Sequence, residues 1–262
     1  MYKLFIFSSL FFLFSSLHSL ADESWVFLLD KPVLPTKLAD PQALEFSIKY
    51  EDAESILALG HYLPLAIYKN DSVAIDIGIL GGLKNRFGSK NNFDLHSESK
   101  LIGAFFDFKR QDLGIRIEGF YEGTELKDAF LVVGDDDLKR NYQIPLEATL
   151  YYEIKTDLWC YFNIGKGLKG SRQDLEGLNY QIGLNFDLDL GHWGPFFAFD
   201  FQYYEKARDQ IGLSIRMGVS LCRSSIYLRP RIFIEFREGP SFLLDSFDRY
   251  EKSFKLGFSL SY

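Results

Sequence analysis

The side chains best placed to do chemistry in this 262-residue chain are charged groups on the polar positions of long apolar–polar alternations. Arg116 and Glu118 share one such stretch, Arg229, Arg231 and Arg237 share another, and Glu147, Asp187, Asp200 and Arg216 fall on four more. Residues two apart on a strand point to the same face, so these nine are expected to line the inside of any barrel the strands close. Arg216, Arg229, Arg231 and Arg237 come from neighbouring strands and would form a basic stripe. Asp187, Asp189 and Asp200, with Glu147 and Glu153, would form an acidic one. Opposed stripes across a lumen order water and sort permeants by charge. The same residues also fit an internal ion-pair network that holds a closed, non-conducting barrel together.

Other chemistry finds little support. Of the four histidines, His18, His61, His96 and His192, none stands at metal-ligand spacing from another. No glycine-rich phosphate loop precedes a helix. No catalytic, cofactor-binding or metal-ligating residue is therefore assigned and no cofactor is expected. His96, next to Ser97, Glu98 and Ser99, is the one arrangement that could serve an enzyme acting on lipid or lipopolysaccharide at an external rim. Asp135-Asp136-Asp137 fits a Ca²⁺ ligand set or a solvated turn. The excess of acid, 36 Asp+Glu against 29 Lys+Arg, speaks against nucleic acid as a partner.

The elements that carry these side chains are strands. From Leu44 onward apolar and polar residues alternate with period two, most clearly where Phe254, Leu256, Phe258, Leu260 and Tyr262 interleave with Ser253, Lys255, Gly257, Ser259 and Ser261. About twelve such segments are predicted, near 44–51, 56–68, 73–84, 97–108, 112–122, 143–154, 157–167, 177–188, 194–204, 211–221, 226–237 and 252–262. Most have the ~9–11 residues or more that a tilted strand needs to cross a bilayer. Connections after the even-numbered segments are mostly short and those after the odd-numbered ones mostly longer, as periplasmic turns and external loops are in outer-membrane barrels. The first and ninth connections are short exceptions. A soluble barrel or sandwich would alternate too, but its core would not hold so many charges. The expected fold is all-β, an antiparallel up-and-down transmembrane barrel of about twelve strands over 44–262.

Composition agrees with that placement. The chain holds 26 Phe, 15 Tyr and 3 Trp beside a charged fraction of 25%, which a lipid-facing surface and a polar interior accommodate together. Tyr50, Tyr68, Tyr121, Tyr152, Tyr203 and Tyr262 fall near strand ends, where aromatic girdles sit. His61, and the Phe105, Phe106 and Phe108 run, break the alternation and predict local bulges or a shifted register. Met1–Ala21 reads as a secretory signal cut after Ala21. Residues 22–43 then form a periplasmic N-terminal segment. Cys160 and Cys222 fall on non-neighbouring strands and are not expected to pair. Within Gly123–Tyr142, the spacing of Leu126, Ala129, Phe130 and Val133 suggests a short helix capping or entering the barrel.

Pro35-Thr-Lys-Leu-Ala-Asp-Pro41, followed by Phe46-Ser47 and Tyr50, resembles the opening of an uncharacterised, domain-of-unknown-function family of secreted bacterial proteins, which carries Leu-Ala-Asp-Pro ahead of its first strand. The likeness extends weakly through Gly119–Leu131 and Asn141–Tyr151. Relatives have a Ser-Ser-His-Leu-Gly-Asp stretch where this chain has Glu122–Asp128 without histidine, so the resemblance implies a barrel and supplies no mechanism. The aromatic end of the last strand at Tyr262 likewise resembles the signal that the barrel-assembly machinery reads in Gram-negative outer-membrane proteins.

Together these readings predict an outer-membrane barrel with the bilayer as its surroundings, acting as a narrow passive pore for small solutes. Two other classes stay open: the lipid-modifying enzyme at His96, Ser97 and Glu98, and a structural or surface-recognition barrel using the loops at 123–142 and 238–251.

Overall fold

The structure, a computed structural model, describes residues 25–27, 32–40, 44–51, 54–88, 95–126, 140–171, 176–206, 211–221, 229–241 and 250–261. The leader over 1–21, the loop positions 127–139 with the Asp135–Asp137 triplet, Pro41, Cys222 and Tyr262 lie outside them.

Twelve antiparallel strands close into an up-and-down barrel, preceded by one short strand. The short one is β1, Trp25–Phe27. The barrel consists of β2 (Phe46–Glu51), β3 (Glu54–Lys69), β4 (Val73–Gly88), β5 (Leu95–Arg110), β6 (Leu113–Leu126), β7 (Arg140–Lys155), β8 (Leu158–Gly170), β9 (Leu178–Asp187), β10 (Trp193–Tyr204), β11 (Ile211–Leu221), β12 (Arg229–Pro240) and β13 (Tyr250–Ser261). Each pairs with its neighbours in sequence, and β13 pairs with β2 through Leu256↔Tyr50 to Leu260↔Phe46, which closes the ring. β1 pairs with the far end of β3, Trp25↔Tyr68 to Phe27↔Ala66.

The expected strands correspond to these twelve, with most ends displaced by a few residues. β6 and β7 extend past Gly123 and before Tyr142, so Leu126 belongs to a strand and not to a helix. β12 is described from Arg229, and the expected positions 226–228 lie outside the described residues. β1 has no counterpart in the alternation, being too short to show a period. The expected bulges also lie elsewhere. β3 and β4 keep register through His61↔Gly81 and shift at Pro64/Ala66, where proline has no N–H to give the ladder. His61 simply takes an outward position between Leu59 and Leu63. β5 keeps register through Phe105, Asp107 and Phe108.

The two faces differ as hydrocarbon and lumen require. Outward positions are apolar and exposed, as with Ile102, Ile117, Leu150, Ile182, Ile232 and Leu256, with Tyr50, Tyr121, Tyr152, Trp193 and Tyr250 near the strand ends. Tyr121 stacks on Tyr142 across β6 and β7 with ring centroids 6.1 Å apart. Inward positions are polar and buried, but among the described residues they also hold six buried rings: Tyr62, Phe105, Tyr151, Tyr161, Phe196 and Phe233. The aromatics therefore do not all face outward. The inward rings fit because small residues make room beside them, most clearly at Gly257, which is register-paired with Phe233 and whose Cα lies beneath that ring.

A methyl group at Gly257 would meet the Phe233 ring. Gly257→Ala is therefore expected to destabilise the barrel by roughly 1–3 kcal/mol, the usual cost of overpacking. Adding Phe233→Leu should recover part of that loss in urea unfolding from detergent micelles. Strictly additive effects would show that the ring and the glycine do not interact.

Candidate functional site

Residues 32–40, expected within a periplasmic segment, lie inside the barrel as a strap across the lumen that turns at Lys37–Asp40, where the Asp40 amide donates to the Lys37 carbonyl at 3.2 Å. The strap starts against the β4–β6 wall, where the Val33 amide donates to Asp76 Oδ2 at 3.4 Å and Arg116 Nη2 donates to the Leu34 carbonyl at 3.3 Å. It crosses to the opposite wall, where Asn185 Nδ2 donates to the Thr36 carbonyl at 3.0 Å and Gln202 Nε2 to Asp40 Oδ1 at 3.3 Å. Its apolar side chains are shared between two clusters. Leu34 packs with Tyr151 and Tyr161, and Leu38 and Ala39 pack with Phe196, Ala198 and Phe233. The strap thus replaces water that an empty lumen would hold and carries both polar and apolar matching groups.

Lys37 is the strap's main electrostatic contact. Its Nζ lies 3.2 Å from Asp40 Oδ2, 3.9 Å from both Glu118 Oε1 and Glu147 Oε2, and 3.2 Å from Gln181 Oε1. Burial by itself lowers an ammonium pKa, but Asp40, Glu147 and Glu118 outweigh it and hold Lys37 well above its ordinary value. A raised lysine pKa stabilises the fold at every pH below its unfolded value, ~10.4, and that contribution is lost only as pH rises through the higher folded value. Lys37 itself therefore keeps its charge, and its grip, across neutral pH.

The nine charged residues read from the alternation all sit on the inner face, most of them paired at short range. Arg116 grips Asp107 with two hydrogen bonds of 2.7 Å, and its guanidinium lies 4.1 Å from the Tyr62 ring centre. Glu118 accepts from the Tyr62 hydroxyl at 2.8 Å, and Glu147 from Asn163 at 3.1 Å. Asp200 accepts from Gln181 at 2.7 Å and from Tyr161. Arg216 spans Glu45 and Glu235 at 2.9 and 2.7 Å over the Phe233 ring. Asp187 gathers Arg229 at 3.1 Å, Arg231 at 2.8 Å and Ser220 at 2.8 Å. Arg237 reaches Glu251 at 3.4 Å. Arg116, Arg216 and Arg237 meet Asp107, Glu235 and Glu251 on neighbouring strands, while Arg216 also reaches Glu45 ahead of β2 and Arg229 and Arg231 on β12 reach Asp187 on β9, three strands away.

Sequence reading missed four contributors. Asp107, Glu45, Glu235 and Glu251 complete the arginine sites, and Glu235 was visible on the polar face of its strand. Phe233 also stood on a polar position, the one signal for an inward ring. Leu38-Ala39-Asp40, three of the four residues that carried the family resemblance, are all buried in the strap.

The enzyme reading draws no geometric support. Ser97 is inward and buried, with Ser99 hydrogen-bonded to Thr124 at 2.5 Å. Glu98 is on the other face and pairs with Lys100 at 3.2 Å. Adjacent strand residues face opposite ways, so Ser97 and Glu98 do not converge on one substrate.

No family model matches the chain, and no curated protein is similar to it in sequence. Solved structures show the following likenesses. The KdgM porin in complex with disordered oligogalacturonate aligns with a TM-score of 0.49 at 8% identity, over 84% of this chain and 98% of that one. A further KdgM porin structure gives 0.47 at 10%, over 84% and 98%. The β domain of the Bordetella autotransporter BrkA gives 0.45 at 11%, over 83% and 96%. Similarity of this degree does not bear on function, and the fold rests on the strand pairing itself.

Removing one partner of a buried ion pair leaves the other charge stranded, at a cost of ~3–5 kcal/mol, whereas replacing both with apolar groups costs far less. Arg116→Ala is expected to lower stability by that amount in urea unfolding. Arg116→Met combined with Asp107→Leu should lose much less. Equal losses for the single and double variants would mean that the pair is not buried as described.

Proposed function

We propose that this chain is an outer-membrane β-barrel that passes small solutes through a narrow, charged lumen when its internal strap is displaced. The single observation that carries the reading is the strap itself: a non-sheet segment crosses the lumen and is held largely by hydrogen bonds and ion pairs to the walls. Such contacts exchange readily for water, which an unbroken apolar core would not do. An unobstructed passive pore fits less well, because the space that solutes would use is occupied by Leu34, Thr36, Lys37 and Leu38. The membrane placement draws support from the exposed apolar belt, from strands of ten to sixteen residues in eleven of the twelve barrel positions, and from aromatic rings near both ends. In this orientation the short turns and the chain's start face the periplasm, reached by secretion with cleavage after Ala21. β13 would be the strand offered to the barrel-assembly machinery, with the bilayer as the surrounding partner.

A second reading, a non-conducting structural barrel, is favoured by one observation: Arg116, Tyr151, Arg216 and Phe233 are almost fully buried around the strap. The two readings separate in planar bilayers. Wild-type protein is expected to conduct rarely. Lys37→Glu, which sets a carboxylate among Asp40, Glu118 and Glu147, should raise open probability at least tenfold. Cysteines at Thr36 and Asn185, in a background lacking Cys160 and Cys222, should lock the closed state until reduced. Arg229→Glu with Arg231→Glu should shift the open pore toward cations. If Lys37→Glu folds and never conducts, the structural reading replaces the pore.

A further inference from the structure

Below the strap, at the end of the barrel that carries the short turns, lies a cavity of about 290 Å³. That volume is at the lower edge of the ~300–1,000 Å³ of small-molecule sites. Its roof is the strap, through Val33, Pro35, Thr36 and Leu38. Its walls differ in charge. On the β5–β8 side one cation, Lys109, stands with two carboxylates, Glu153 and Asp157. On the β9–β12 side two cations, Arg229 and Arg231, stand with one carboxylate, Asp187. Each wall therefore keeps one unit of charge after its own pairs are counted, negative on the first and positive on the second.

The pairs do not exhaust these groups. Lys109 meets Glu153 at 2.8 Å, and both remain partly exposed. Arg229 has a single contact of 3.1 Å with Asp187 and is one-third exposed. The amide of Asn185, also on the wall, uses its Nδ2 on the Thr36 carbonyl, and its buried Oδ1 has no hydrogen-bond partner. A buried acceptor left without a donor is costly. Trp159 supplies a flat apolar face between the charged groups, with Lys109 Nζ 4.6 Å from its ring centre.

We propose that this vestibule binds a small zwitterion, of the size of a free amino acid or dipeptide. Its carboxylate lies toward Arg229 and Arg231, and its ammonium lies toward Glu153 and Asp157. An anion alone would meet the negative wall uncompensated, and a cation alone the positive wall. Only a molecule with both charges follows the field across the cavity. Because the roof is the strap, occupancy bears directly on the segment that closes the lumen. The assignment names the solute class of the pore reading and rests on it for its purpose, although binding itself needs no conduction.

The test uses full-length mature protein in detergent micelles, with Trp25→Phe and Trp193→Phe leaving Trp159 as the sole tryptophan. Alanyl-alanine is expected to change Trp159 fluorescence saturably. N-acetylalanine, which has only the carboxylate, and alaninamide, which has only the ammonium, should bind at least tenfold more weakly. Arg229→Gln and Glu153→Gln should each weaken dipeptide binding at least fivefold, with retained heat-modifiable mobility on gels showing that the barrel is folded. Equal binding of the three probes would overturn the proposal, and so would an absence of binding to folded protein or binding untouched by both substitutions. Binding as expected alongside strap variants that never conduct would leave the site standing and remove the pore. Conduction without binding would do the reverse.

Discussion

Every other residue of a strand that faces hydrocarbon must face away from it, and in a closed sheet of twelve strands there is only one place for those side chains to go. The backbone has no alternative to closure, because an open edge would leave N–H and C=O groups without partners in lipid. Closure therefore gathers dozens of polar side chains into a lumen narrow enough for them to touch. Most of what is particular to this protein follows from how they settle there. Arg116 finds Asp107, Arg216 finds Glu45 and Glu235, and Arg231 finds Asp187, each with a ring near the guanidinium plane.

Buried pairs of this kind add little net stability, since the cost of taking both charges from water offsets much of their attraction. Their contribution is to specificity of arrangement. Arg216 links Glu45, just ahead of β2, to Glu235 on β12, and so ties the start of the barrel to strands from its end. Lys49 on β2 meets the same Glu235 at 3.0 Å. A slip of one residue in β12 would turn Glu235 toward lipid and strand both cations, so the charged network and the sheet register enforce one another.

How far the sequence could be read depended on periodicity. Where a face alternates, as in Phe254 to Leu260, strand, face and number of crossings were all legible. Periodicity says nothing about a segment that is not a strand, and so residues 32–40 were placed outside the barrel, although Leu38 and Ala39 are among its most buried residues. Nor does it say which inward group meets which. Arg229 and Asp187 are 42 positions apart and meet because the strands return, a matter of register and shear. His61 misled in the other direction, since a polar residue at an outward position looked like a fault in the strand and was not one.

The short strand β1 gives the strap a topology that a loose N-terminal tail would lack. β1 pairs with one end of β3 and β2 with the other, so the chain between Phe27 and Phe46 is a loop pinned at both ends to the same strand. A loop so tethered cannot be drawn out like a cork. It can sway toward one wall or the other, opening a crescent beside itself.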